Sequence, residues 1–508
     1  VNALRGAIER SRQPSASSSY AGAQVNRLTD DWIWAPIKSA DQEIRWDHRR
    51  LVGRARELAR NDPYAHRFLR LLRHNVVGPH GIRMQARVAR ASGDMDTAIN
   101  DRIEEEWRAW SRPQNCTADG RQSLRDVCGS VMEAVARDGE ALVQPLRGWD
   151  NRWGYALRVL DPDLLDVDFN RFPSDRENEI RMGVEINRWG RPVAYHLFDR
   201  HPYDGGRRDR TRVPASDLWH LYLVERPGQS RGVTWLAPSM IRSKWLAGYS
   251  EAEIIAARTA ACKQGFYTQD PATEPDPMAD GDEEDVIPSE AEPGRFDILP
   301  PGVDITPWDP QHPNSAFDAF ERSILRGIAM GWDVAYSSLS GDLSDVNFSS
   351  IRAGIVQERD VYQWLQQWLV EHLLDLTYDD WFLHALTAGA LELPARNMAR
   401  WKQRVWQPRG WQWVNPAQEV KAHREEVDAG LNSLTSIAAS QGRDIEEVFR
   451  ERKNEIRLAE KYGVPLGGAA KAPPPGPARR EEDDEDDSDE AAAVLVGSPN
   501  GNGHRWRE

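Results

Sequence analysis

A chain of 508 residues, 40% hydrophobic and 29% charged with a mean hydropathy of -0.67, is long enough to bury a large core without disulfide or metal staples. None of its apolar runs approaches the roughly 18 to 20 residues of a membrane helix, and the polar N-terminal stretch lacks the apolar region of a secretory signal. Cys116, Cys128 and Cys262 are the three cysteines, none at CxxC spacing, which supports neither a disulfide framework nor a thiolate zinc site.

The net charge of -15 is unevenly placed. Asp270–Asp297 holds eleven acids against Arg295 alone, and EEDDEDDSDE at 481–490 adds nine more. The rest of the chain is near neutral. Residues 1–120 carry 20 Lys or Arg against 15 acids, far from the concentrated basic stripe of a protein that grips DNA.

In chain order, residues 1–30 are rich in Ser, Arg, Ala and Gln without an apolar period, and 1–44 reads as a flexible N-terminal arm. Helical patterning begins near Arg49, with Leu51, Ala55, Leu58 and Ala59 on one face. Asn61-Asp62-Pro63 ends that helix and opens the next, Asp62 as N-cap and Pro63 in the first helical position. Tyr64, Phe68, Leu71 and Leu72 carry it to Gly78-Pro79. Further helices are expected over 97–111 (Ile99, Ile103, Trp107, Trp110) and 123–138 (Val127, Val131, Val135), the latter stopping at Asp138-Gly139.

From 139 to 225 the period shortens to that of strands: 141–146, 156–160, 182–186, 193–197 and 218–223. Asn187–Pro192 joins two of them as a hairpin with Gly190 in its turn. A long helix follows over 238–266, with Ile241, Trp245, Leu246, Tyr249, Ile254 and Ile255 among its apolar positions. Residues 268–296 are Pro-rich and acidic and read as a loop or small extension, with a strand at Phe296–Leu299. Phe317, Phe320, Ile324 and Ile328 mark another helix. The small, polar residues 336–344 read as a flexible loop reaching Ser349-Ser350. A Trp-bearing helix (Trp364, Trp368) covers about 350–377, and helical patterning returns over 416–462. Residues 466–508, Pro/Gly/Ala-rich and then acidic, read as disordered.

A catalytic engine is hard to find. The phosphate cradle GxxxxGK[ST], GxGxxG and HExxH are all absent. One GxSxG occurs, Gly228-Gln229-Ser230-Arg231-Gly232. A nucleophile elbow needs its serine between a strand and an immediate helix, and here Val233–Pro238 intervene, so an ordinary Gly-rich loop is the favoured reading over a serine nucleophile. No two histidines stand at HxH or HxxxH spacing; His196 and His220 fall inside strands, where structural roles are commoner. Asp161, Asp163, Asp166 and Asp168 could hold a divalent cation, but Asp-Pro-Asp after a strand is also an ordinary turn, which is favoured. The acidic 270–297 stretch reads either as a solvated loop or as a docking surface for another protein. Trp outnumbers Tyr and Phe, 21 against 12 and 11, which suits a core or large subunit contacts.

The order of parts resembles the lambda-type phage portal family over about 45–465. The residues that carry the resemblance are Arg54-Ala55-Arg56-Glu57-Leu58-Ala59-Arg60-Asn61-Asp62-Pro63 with Asn75-Val76-Val77-Gly78, then Arg137-Asp138-Gly139-Glu140. They continue with Arg226–Pro238, which accounts for the GxSxG match, and end with Leu339-Ser340-Gly341-Asp342-Leu343-Ser344 and Asn347-Phe348-Ser349-Ser350-Ile351-Arg352.

The resemblance implies an α+β portal-type fold: a helical and β-rich wing (45–235), stem helices (236–267 and 313–333), a clip insert (268–312), a tunnel loop (334–350), a long helix and wing return (351–415) and a helical crown (416–465). It implies a non-enzymatic homo-oligomeric ring, usually of twelve subunits, at one capsid vertex of the virion, assembled in the bacterial host cytoplasm. Double-stranded DNA would pass through non-specifically. The terminase large subunit would dock on the ring and hydrolyse ATP, head-completion and tail connector proteins would follow it, and capsid and scaffold proteins would surround it. No cofactor, metal or membrane is implied. Ser337, Ser338, Ser340, Asp342, Asn347 and Arg352 become the channel residues, and Asp282, Glu283, Glu284 and Asp285 the clip docking residues. Two alternatives remain: a metal-dependent DNA-processing enzyme using Asp161–Asp168, and another ring-forming structural protein.

Overall fold

The computed structural model describes residues 37–93, 95–173, 178–261, 265–269, 303–307, 316–344, 348–411, 416–441 and 443–463. Residues 1–36, Phe296–Leu299 and 466–508 lie outside them.

Helix α1 spans Ala40–Asn61 and begins inside the segment read as a flexible arm. A capping box sets its start: Ser39 Oγ accepts from Gln42 N, and Gln42 Oε1 accepts from Ser39 N, both at 3.3 Å. Its buried stripe runs Ala40, Asp41, Ile44, His48, Val52, Ala55 and Leu58. Asp41 and His48 stand on the core-facing side, so an apolar period appears only after Arg49. Helix α2, Pro63–Leu72, starts as expected, with Asp62 Oδ1 accepting from Ala65 N at 2.7 Å, and runs on through a π-helical turn, Arg73–Val77.

Strand β1 (Arg83–Ala86), helix α3 (Thr97–Trp110) and helix α4 (Leu124–Asp138) follow, α4 opened by a Ser123/Asp126 capping box and closed by Gly139 at φ +92°. All sheets are antiparallel. Strands β2 (Glu140–Arg147), β3 (Tyr155–Leu160) and β8 (Trp219–Tyr222) pair in the order β3-β2-β8; β4 (Glu179–Arg181), β5 (Val184–Ile186), β6 (Pro192–Phe198) and β7 (Arg210–Pro214) pair consecutively. The strand expected over 182–186 therefore starts only at Val184, as β5. Met182 (φ +46°) and Gly183 (φ +83°) form the turn between β4 and β5, a backbone region closed to most residues in a strand.

Strand β2 is buried on both faces. Ala141 and Val143 join the main core with Val131, Val135, Tyr155 and Leu157, while Leu142 joins a second core with Leu160, Val184, Tyr195 and Leu197. That is the period of two expected of a central strand between layers.

Helix α5 spans Met240–Ala261, entered through a 3₁₀ turn at Ala237–Ser239, and ends before 266 because strand β9 begins at Gly265. Strands β9 (Gly265–Gln269) and β10 (Val303–Pro307) pair with each other, so the two ends of the inserted segment are brought together by a ladder. Helix α6 is Phe317–Gly331, α7 Tyr336–Ser340 and α8 Phe348–Leu369; a π-helical turn, Val370–Leu374, carries α8 into α9, Asp375–Thr387. The helix expected to end near 377 thus runs ten residues further, because Tyr378, Trp381 and Phe382 are all core residues. Strand β11 (Arg404–Gln407) returns to pair with β1.

The tryptophan excess divides. Trp107 packs on Trp110 and Trp381 at 4.9 Å each and on Tyr378 at 5.3 Å, in the offset and edge-on geometries aromatic rings prefer. Trp46, Trp189, Trp245 and Trp364 are exposed. Helices α10 (Pro416–Asp428) and α11 (Leu434–Ser440) follow β11. Residues from Glu446 form a separate unit, within which helix α12 (Ile445–Tyr462) buries none of its residues and leaves Phe449, Leu458 and Tyr462 exposed.

Candidate functional site

The GxSxG loop lies against the end of α4. A Cβ on Gly232 would come within 2.0 Å of Gly139 O, and one on Gly139 within 2.6 Å of the Val233 carbonyl carbon. Two glycines therefore let two backbones pass in contact, and this sets Arg231 beside Glu140. Arg231 Nε lies 2.9 Å from both Glu140 oxygens, Nη2 makes a further short bond, and Nη1 donates to Met182 O at 2.9 Å. Gly232 N and His220 Nε2 complete the shell of the carboxylate at 3.1 and 2.8 Å. Burial alone would raise the pKa of Glu140, but Arg231 and His220 hold it well below the usual carboxylate range. Ser230 is buried; its Oγ donates to Asp41 at 2.8 Å and its N at 2.7 Å. Among the described residues that hydroxyl bonds Asp41 alone.

The Asp161–Asp168 carboxylates are distributed among arginines. Asp161 Oδ1 accepts from Asp163 N at 2.9 Å across a 3₁₀ turn, the expected turn geometry. Arg56 reaches Asp163 (2.6 Å), Asp138 (2.9 Å) and Asp161 (3.1 Å), Arg210 pairs with Asp166, and Arg49 with Asp168 at 2.7 Å. Asp161, Asp163 and His201 do offer ligand atoms within 4.8 Å of one another. The Arg56 guanidinium already sits on both carboxylates, so a divalent cation there would have to displace or face a fixed positive charge. His196 pairs with Glu185 at 3.2 Å. Cys116 and Cys128 are buried, and burial pushes the Cys128 thiol up to about 12, far from the reactive range.

Helices α5 and α6 form an antiparallel pair. Ser239 Oγ, at the entry to α5, donates to Ile328 O near the end of α6 at 3.2 Å, whereas Tyr249 stacks on Phe317 (5.7 Å) and meets Phe320 edge-on (5.0 Å) at the start of α6. Leu246 is buried in this pair. Ile241, Trp245, Ile254 and Ile255 are exposed, Trp245 over 71% of its surface.

The segment read as a flexible loop is partly ordered. Ser337, Ser338 and Ser340 lie in α7, which Gly341 (φ +74°) closes and buried Leu339 anchors. Ser338 Oγ donates to Glu358 at 2.6 Å, and Ser340 Oγ to Tyr336 O at 2.8 Å. Asp342 accepts from Tyr336 Oη (2.8 Å) and Ser344 N (3.0 Å), and these bonds, Ser344 first, hold it down at about 2. Of the six residues expected to line a channel, Ser337, Ser338, Ser340 and Asp342 thus lie together, with Asp342 N donating to Ser340 Oγ at 3.1 Å and Ser338 bonded to α8. Asn347 lies outside the described residues, as do Asp282, Glu283, Glu284 and Asp285; Arg352 falls within α8. Sequence reasoning missed Arg56, Asp138, Glu140 and Arg231 as polar cores, although the Arg137–Glu140 and Arg226–Pro238 motifs contain three of them.

Paired helices, small antiparallel sheets and internally paired polar groups make this a mixed helix-and-sheet protein. The chain belongs to the lambda family of phage portal proteins: the sequence model described as "Phage portal protein, lambda family" matches residues 25–366. It is 37% identical over 463 residues to the "Probable portal protein" of Halomonas phage phiHAP-1, with 89% of each chain covered. It is 23% identical to the "Portal protein" of Escherichia phage N15 (83% of this chain, 86% of that one) and 22% identical to "Portal protein B" of Escherichia phage lambda (86% and 89%). Among solved structures, a chain from the neck of a native gene transfer agent particle matches with a TM-score of 0.41 at 15% identity, covering 77% of this chain and 93% of that one.

Proposed function

We propose that this portal chain forms a closed ring of twelve copies at one vertex of the capsid, through whose channel double-stranded DNA is packaged and later ejected. The observation that carries this reading, in a chain of this family, is the exposed face of α5. Ile241 and Trp245, one turn apart on it, are exposed in a single copy, and head-to-tail contact with an identical neighbour covers them. In this reading 45–235 is the wing, α5 and α6 the stem, and 268–312 the clip, closed at its base by β9 and β10. The tunnel loop is 334–350, with the short helix α7 inside it. Residues 351–415 back the channel, and 416–465 form the crown.

The clip acids Asp282, Glu283, Glu284 and Asp285 pair with a basic surface of the terminase large subunit and then of head-completion and connector proteins. ATP hydrolysis belongs to terminase, and this chain is no enzyme. A near-neutral body suits a conduit, because each neutralised phosphate adds affinity that would hold DNA in place. The ring sits in the virion among capsid and scaffold proteins after assembly in the host cytoplasm. Native mass measurement with negative-stain images of the purified chain tests the reading. Closed rings with a central hole are expected. A chain that stays monomeric at high concentration, alone and with scaffold and capsid proteins, overturns it.

A further inference from the structure

An apolar groove of about 310 Å3 lies between α2, α8, the end of α6 and the segment Val233–Pro238. Phe68, Trp235, Trp332, Val361 and Leu365 line it, and Trp364, also lining, is 58% exposed. No Lys or Arg is among the lining residues. Two carboxylates are, Glu225 and Asp333, both exposed. Among the described residues neither carboxylate accepts a hydrogen bond or enters an ion pair.

The start of α1 is tied to the border of this groove at two points. Lys38 O accepts from Arg226 Nη2 at 2.7 Å, and Arg226 Nη1 donates to Glu43 at 2.6 Å. Arg226 is the chain neighbour of Glu225. One turn into α1, Ile44 forms a small core with Val167 and Met182, and Val233, itself a lining residue, packs against it. The described residues begin just before these ties, at Ile37, which is fully exposed.

The five residues before Ile37 are Trp32-Ile33-Trp34-Ala35-Pro36. Pro36 disfavours a helical backbone at Ala35, so the sequence favours an extended approach to Ile37. At about 3.3 Å per residue, Trp34 stays within about 10 Å of it. An indole combines a large flat apolar body with a single N–H that needs an acceptor once buried. The groove offers the complement of both, apolar walls and two unengaged carboxylates. A lysine or arginine of another chain would match the charge, yet only the N-terminal segment is already tied to the groove's border.

We propose that Trp34 of the chain's own N-terminal segment occupies this groove, with its Nε1–H donated to Glu225 or Asp333. Groove and segment belong to one copy, so the inference does not rest on ring closure.

Amide hydrogen exchange of the full-length protein tests it, with Trp34→Ala and Trp34→Phe beside the wild type. Exchange in 33–37 and in 331–335 should be at least about tenfold faster in Trp34→Ala, and unchanged around Trp107 and Trp381. Trp34→Phe, which keeps a ring and loses the N–H, should fall between the two. Should Trp34→Ala fail to fold, Trp34→Phe carries the same readout. The occupant's origin is read from Ala35→Cys/Asp333→Cys, which retains Trp34, joined with a short bismaleimide and mapped by peptide mass. A link between positions 35 and 333 of one chain supports the proposal. A link only between two chains gives the groove to a neighbour's segment and overturns it. Identical exchange in 33–37 and 331–335 for the wild type and both variants overturns it as well.

Discussion

Arg231 and Glu140, ninety-one positions apart, form an ion pair with 1% and 0% of their surfaces exposed, the pair on which the α4 end, the β2 start and the GxSxG loop converge. Its geometry satisfies every Glu140 oxygen, and Arg231 also reaches Leu165 O and Met182 O. Removing one partner leaves a buried, uncompensated charge. Arg231→Met or Glu140→Leu is therefore expected to cost about 3–5 kcal/mol, read by urea denaturation. The double variant should lose clearly less than the two together. Simple additivity would mean the charges do not interact.

The same cluster sets a pH dependence. Burial, then Arg231, pushes His48 down from 6.5 to about 4, and its Nε2 lacks a hydrogen-bond partner among the described residues. Its neutral form is favoured in the fold, so the unfolded chain binds more protons between pH 6.5 and 4. Stability is full above 6.5 and falls as pH drops through that window. Glu185, held at about 2 by Arg212 first, contributes stability above about 4.5 that is lost as pH falls toward 2. His48→Phe should flatten the loss between pH 6.5 and 4.5 while leaving the steeper loss below it. Denaturation midpoints measured at half-unit steps decide this.

Much of the fold was legible because its signals are local. Asp62-Pro63, the Asn187–Pro192 hairpin, α3 and α4 all stand where caps, turn residues and the 3.6 period place them. Elements that carry polar residues on their buried side were not. The start of α1 hides behind Asp41 and His48, and β7 (Arg-Thr-Arg-Val-Pro) and β11 (Arg-Val-Trp-Gln) show no apolar alternation because their arginines reach carboxylates on other elements. The buried pairs Arg56–Asp138 and Arg231–Glu140 each join residues from separate segments, a relationship only tertiary structure reveals. The serines of 336–340 looked like loop residues because their composition is that of a loop; buried Leu339 is the single apolar residue that betrays the helix.

The two outer glycines of the GxSxG motif separate steric from conformational demand. Gly228 sits at φ +82° with open space around its would-be Cβ, so Gly228→Ala should cost about 1 kcal/mol. Gly232 faces Gly139 O at 2.0 Å from that position, a backbone atom that cannot move aside. Gly232→Ala should cost several-fold more and free Arg231 from Glu140. Equal costs, measured by thermal unfolding, would contradict the close-packed crossing.

Trp245 and Ile241 test the stem. Both are exposed in the single chain, so Trp245→Glu should change its own stability by no more than about 0.5 kcal/mol. The same change places a charge in every proposed subunit contact and should abolish rings in native mass measurements. Rings that persist would move the subunit interface off this face of α5.

Glu358 provides the last test, because it holds the base of the proposed tunnel loop. It accepts from Ser338 Oγ at 2.6 Å and from Tyr362 Oη at 2.7 Å, while Arg67 Nε donates to Ser338 O at 3.3 Å. These bonds tie α7 to α2 and α8, so the stretch from Gly341 onward starts from a fixed point. Glu358→Ala leaves two hydroxyls without their acceptor, at a cost of about 1–3 kcal/mol. If the tie is local, amide hydrogen exchange should accelerate in 336–342 and stay unchanged around Trp107 and Trp381. Uniform acceleration across both regions would instead make Glu358 a global core residue, and the loop would then owe its placement to Leu339 alone. In assembled rings the local outcome has a further consequence: a loosened loop base should slow or stall DNA translocation while leaving ring formation intact, since α5 and its exposed face lie outside the bonds that Glu358 makes.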